Sequence, residues 1–123
     1  MKPVHLDLVK DLQSLLQDFY SLGEEMASIF LYYLPEHGKK FADTWYQMKS
    51  ITRYAEDDIG WYDSLLRGLR ETLKDWNMLH IELTVAFNNG FYDSKQWCYW
   101  ERFYKLIRRF EVLIERFESR KVQ

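Results

Sequence analysis

One cysteine (Cys98), two prolines and five glycines are all the crosslinking and helix-breaking residues in this 123-residue chain. A single cysteine excludes a disulfide framework and any multi-cysteine metal site, and it suits a reducing compartment. With so few prolines and glycines, little marks the turns of a many-stranded fold, and no stretch sustains the period-two alternation of a strand. No apolar run approaches the roughly 20 residues of a membrane span. The opening MKPVHLDLVKDL lacks the unbroken apolar core of a signal peptide. Excess charge of one sign is missing too: a net charge of −2 gives no global pull toward nucleic acid or anionic lipid. These absences predict a cytoplasmic protein with no membrane contact.

What is present is helical period and aromatic bulk. Hydrophobic residues make up 47% of the chain and aromatics 18%, which excludes intrinsic disorder and supplies anchors for a core or an interface. Leu8, Leu12, Leu15, Leu16, Phe19, Leu22, Met26, Ile29, Phe30 and Tyr33 follow one helical face. Pro35 and Gly38 are expected to end that helix, and Gly23 within it to permit a close crossing or a bend. A second helix carries Phe41, Trp45, Met48 and Ile51 inward. Glu56-Asp57-Asp58 and Gly60 mark either a turn or a kink. A third helix carries Ile59, Tyr62, Leu66, Leu69, Leu73, Trp76, Leu79, Leu83 and Phe87, and Asn88-Asn89-Gly90 would stop it through left-handed residues. Asp93 or Ser94 caps a fourth. The expected helices span about 4–34, 39–56, 59–88 and 94–119. Short turns between amphipathic helices predict one all-α domain over residues 1–123, an antiparallel up-down-up-down four-helix bundle.

The last helix is the most loaded. Trp97, Trp100, Phe103, Ile107, Phe110, Ile114 and Phe117 recur at spacings of three and four. Trp97, Tyr99, Tyr104 and Leu113 form a flank beyond that stripe, which predicts an interface. Arg102, Lys105, Arg109 and Arg116 share a second face, and Arg67, Arg70 and Lys74 share one on the preceding helix. Together these seven are candidate nucleic-acid contacts, because phosphates need cations and unpaired bases stack on rings. Glutamates at 101, 111, 115 and 118 also fit a merely solvated face. Residues 1–63 hold 11 acids and 6 bases, net −5, whereas residues 64–123 hold 8 acids and 11 bases, net +3. That asymmetry fits a partner surface, head-to-tail self-association, or an acidic first helix lying against a basic last one.

Catalytic signatures are missing. The inward Glu-x-x-His pairs of di-iron bundles do not occur. The nearest arginine before His80 is Arg70, too distant for the Arg-x4-6-His motif of HEPN-type helical ribonucleases. Phosphate-cradling glycine loops and nucleophile elbows are absent. His80 reads as a helix-surface or satisfied core residue, and Cys98 between Trp97 and Tyr99 as a small buried hydrophobe. The chain is expected to be no enzyme, with no catalytic residue, metal site or cofactor.

From Leu66-Arg67-Gly68-Leu69-Arg70 through Leu79-His80-Ile81-Glu82-Leu83, the turn Asn89 to Trp97 and the closing Ile107 to Ile114, the chain resembles a known four-helix-bundle family. Its members are the ribosomal-RNA intervening-sequence proteins and the accessory proteins (Avd) of diversity-generating retroelements. Leu34-Pro35-Glu36-His37-Gly38 falls at their proline-containing break. The resemblance implies a non-enzymatic, ring-forming homo-oligomer, a pentamer in that family, which associates with a reverse transcriptase and its template RNA. One departure bears on RNA: the accessory proteins are strongly basic and this chain is slightly acidic. The expected function is therefore a self-associating accessory protein of a nucleoprotein complex. The rival is a small phage or mobile-element inhibitor of a host or defence complex, acting through an aromatic surface or an acidic one in which Asp7, Asp11, Asp18, Glu24 and Glu25 mimic phosphates.

Overall fold

The computed structural model describes residues 6–57 and 62–121. Their regular structure is entirely helical: α1 Leu6–Glu25, α2 Ala27–Tyr32, α3 Pro35–Asp57, α4 Tyr62–Asn89 and α5 Gln96–Lys121. The all-α class expected from the sequence is what the chain adopts. The break expected around Asp58 and Gly60, and Ile59 with it, lies outside the described residues.

Two boundaries differ from expectation. Met26, at φ −86° and ψ 0°, interrupts the first helix between α1 and α2. The bonds Met26 N–H to Leu22 O (3.0 Å) and Phe30 N–H to Met26 O (3.1 Å) carry the ladder across. This interruption follows Gly23, where an added Cβ would lie 2.5 Å from the Phe41 ring, so the glycine does permit a close crossing. Pro35 opens α3 rather than closing the helix before it. Proline lacks the N–H that the first helical position leaves unused, and its fixed φ is already helical. Gly38 lies inside α3, its N–H bonded to Leu34 O at 3.0 Å.

The long helices bury most of their predicted stripes, but Tyr33 and Trp97 stay exposed and Leu16, Tyr62, Leu73 and Trp100 are half-buried. α3 packs on α1 and α4, and α5 on α4 and α1. At the centre, Phe41, Phe19 and Trp76 stack ring on ring with centroids 4.1 Å apart at each step, and Phe103 closes on them edgewise. Four of the 22 aromatic residues therefore form one internal cluster. On α3 the buried face runs through Phe41, Thr44, Met48 and Thr52, with Trp45 and Ile51 only half-buried at its sides. The threonines tolerate burial because each hydroxyl donates to its own helix, Thr44 to Phe41 O and Thr52 to Met48 O, both at 2.8 Å.

The stop after α4 is built differently from a left-handed cap: no described residue, glycine or other, has positive φ. Instead the Gln96 side chain, 2% exposed, holds the corner. Its amide donates to Phe87 O at 3.1 Å and Gly90 O at 2.9 Å. Its carbonyl accepts from Tyr92 N–H at 2.8 Å and Asp93 N–H at 3.4 Å. Asp93 plays its expected capping part, accepting Lys95 N–H at 2.7 Å.

Candidate interaction surface

The basic face of α5 is positioned by the same periodicity that buries its core stripe, and it meets α1. Arg102 pairs with Glu25 at 2.6 Å, Arg109 with Asp18 at 2.6 Å and Arg116 with Asp11 at 2.7 Å. Arg120 closes the series on Asp7 through two bonds of 2.6 Å. Numbers rise along α5 as they fall along α1, and Arg102, Arg109 and Arg116 are matched at the same seven-residue step by Glu25, Asp18 and Asp11. This is how charges beside an apolar seam pair between two helices. The guanidinium of Arg120 holds the Asp7 carboxyl well below the usual carboxylate range.

Of the seven candidate nucleic-acid residues, Arg102, Arg109 and Arg116 thus sit in ion pairs with α1. Arg70 pairs with Glu118 at 2.7 Å and Lys105 with Glu101 at 3.4 Å. Arg67 and Lys74, on the outer face of α4, have no ionic partner among the described residues. The charge asymmetry between the halves of the chain matches acids on α1 with bases on α5. Four of the five acids offered as phosphate mimics are neutralised by the same ladder, leaving Glu24.

The predicted flank divides. Tyr99 and Leu113 are buried in the chain's own core, so they are not interface residues as expected; α1 covers their side of α5. Trp97 and Tyr104 remain about half exposed. They belong to a run of rings along the α4–α5 seam, Trp97 on Trp100 and Trp100 stacked on Tyr104, with centroids 6.0 and 6.1 Å apart. Beneath it the two helices are tied by a closed set of bonds. Trp100 Nε1–H donates to Thr84 Oγ1 at 2.6 Å, and Thr84 donates to His80 O at 2.7 Å. His80 Nε2 donates to Trp100 O at 3.1 Å, the carbonyl fixing which ring nitrogen carries the proton. Burial pushes the His80 pKa down. His80 is a satisfied core histidine. Cys98, by contrast, is exposed and not the buried hydrophobe expected.

Three further apolar surfaces are open. On α4, Met78, Ile81 and Val85 are 53%, 58% and 55% exposed, and their spacing puts them on the same outer face as Lys74 and Arg67. At the tip formed by the α2–α3 and α4–α5 turns, Tyr32 and Phe91 are 73% and 80% exposed, and the Tyr33 and Tyr92 rings meet at 5.3 Å. Between α1/α2 and α3 runs a groove of about 520 Å³. Gly23, Ala27, Gly38 and Ala42 line it among larger neighbours that include Tyr20, Leu31, Trp45 and Tyr46. The sequence concealed these surfaces: the stripe on α4 has the composition of a weak core face, and the groove exists only where two helices cross. Compared with protein-family models, with curated proteins and with solved structures, the chain has no match in any of the three.

Proposed function

We propose that this chain is a non-enzymatic interaction module that associates with itself and serves as an accessory subunit in a larger assembly. Its frame in this reading is an up-down-up-down four-helix bundle, α1 and α2 acting as one rod. The opposite running of the Arg102–Glu25 to Arg120–Asp7 pairs supports that frame. The observation that carries the functional reading is the outer stripe of α4. Met78, Ile81 and Val85 are each more than half exposed, and contiguous apolar surface on a helix marks a contact site. Association with a reverse transcriptase and RNA belongs to this proposal through the family resemblance. The neutralised arginines of α5 make a protein partner the better-supported contact. Light scattering on the purified full chain tests self-association: the mass in solution should be a multiple of 15.1 kDa. A monomer at high micromolar concentration would end this reading.

A second reading, inhibition of a foreign complex, is favoured by a different observation, the exposed aromatic tip of Tyr32 and Phe91. In that case a monomer carries the activity, and replacing Tyr32 and Phe91 with Ser abolishes it without altering the mass.

A further inference from the structure

We infer that the groove between α1/α2 and α3 receives the outer stripe of α4 from a second copy of the chain, a head-to-tail contact. The inference rests on the self-association proposed above and names the two surfaces that make it. The groove is the apolar opening between helices, whereas the opening of about 560 Å³ beside the α1–α5 seam is lined by Asp11, Lys105, Arg108, Arg109 and Arg116. The α1–α5 seam is covered by the arginine ladder, the α4–α5 seam by the Trp100 network and Arg70–Glu118, and the α3–α4 seam is bridged by Lys40–Glu82 at 2.9 Å. Along α1–α3, Gln13 bonds Glu56 at 2.7 Å toward one end, but beside Gly23, Ala27, Gly38 and Ala42 no described ion pair crosses.

Three properties select α4 of another copy as the occupant. The first is shape. Gly23, Ala27, Gly38 and Ala42 give the groove short walls, and the Phe41 and Phe30 rings packed against the two glycines form its apolar floor, on which Met78, Ile81 and Val85 can seat. The second is length. Tyr20 to Leu31, across the break at Met26, and Lys74 to Val85 each cover twelve residues, about 16 Å from first to last. The third is charge. Glu24 is the only charged residue lining the groove and has no ionic partner among the described residues, while the stripe continues into Lys74 and Arg67, which likewise have none. Within one molecule the two surfaces cannot meet, because α4 packs against α3 and α5 with its stripe turned outward. A contact between unlike surfaces leaves one of each free on a pair, so further copies can add until a ring closes or a filament grows.

The test uses two variants at exposed positions, Ala42→Arg to fill the groove and Ile81→Glu to charge the stripe, with circular dichroism melts to confirm that each still folds. Light scattering should give a wild-type mass at a multiple of 15.1 kDa and each variant alone at 15.1 kDa. Mixed in equal amounts, the variants should form a 1:1 pair and stop there. One retains a stripe and the other a groove, so a single competent contact remains. If the wild type associates and neither variant changes its mass, the pairing is wrong while self-association stands. Two variants that are monomeric alone and stay monomeric when mixed also overturn it, since that outcome belongs to a contact between like surfaces. A monomeric wild type would remove both readings together.

Discussion

Gln96 satisfies two backbone carbonyls and two backbone N–H groups at the corner between α4 and α5, all within a nearly inaccessible site. Replacing it with Met keeps the volume and strands those groups. Each unsatisfied buried polar group costs about 1–3 kcal/mol, so Gln96→Met should destabilise the chain by roughly 2 kcal/mol or more in chemical denaturation. His80 makes a complementary prediction. Its native pKa is depressed by burial, so the unfolded chain binds a proton that the folded chain resists. Stability from this group is present above the unfolded value of about 6.5 and is lost as pH falls below it. Denaturation from pH 8 to 5 should show the wild type losing its advantage over His80→Gln in that acid range. A difference that does not vary with pH would contradict it. A satisfied core histidine was one of two readings of His80 open from the chain alone, whereas the role of Gln96 was not readable. A glutamine at the third position of a predicted helix looks like a surface residue until the preceding turn folds back over it.

At the scale of the helix, the α1–α5 ladder is the clearest case of pattern becoming contact. The seven-residue recurrence of Arg102, Arg109 and Arg116 was legible in the sequence, and so were the acids of α1. Which of three readings joined them was not, because a helical face specifies a direction and not a neighbour. Exposed pairs of this kind contribute about 0.2–1 kcal/mol each. Arg109→Asp places two acids opposite one another at Asp18, and Asp18→Arg places two bases there. Each single change should destabilise by about 1 kcal/mol, and the double swap should recover most of it. A double-mutant cycle in denaturant measures the coupling, and zero coupling would mean the pair contributes nothing to stability. Gly23 acts between the same elements. Ala would favour the helix by about 1 kcal/mol. Its Cβ would also sit 2.5 Å from Phe41, which is stacked on Phe19, so Gly23→Ala should lower the melting temperature despite its better propensity.

For the whole molecule, the balance of charge decides what the basic residues do. An arginine paired with an aspartate at 2.6 Å is a weak phosphate contact, since the adjacent acid offsets its charge and repels the phosphate. Replacing Arg102, Lys105 and Arg109 with Glu should therefore reduce thermal stability and leave RNA retention on a filter unchanged at low salt. A steep loss of retention, with a shallower salt dependence, would return those residues to the nucleic-acid surface. The open apolar surfaces lie where helices face away from their neighbours, where two helices cross, or where turns converge. The flank expected on α5 shows why sequence reading overshot there. Tyr99 and Leu113 lie beside the core stripe, and the angular width of a buried face depends on how many helices surround it.

The sequence by itself determined the helical class, the position of most helices and most residues of the central stripe. These follow from a local rule, the period at which apolar residues recur. The tertiary structure decided which charged faces meet, which aromatics stack inside, how the α4–α5 corner is held without a left-handed residue, and which apolar surfaces stay uncovered. Those outcomes depend on distances between residues remote in the chain, and an amphipathic pattern carries a direction for each side chain without carrying the identity of what lies opposite.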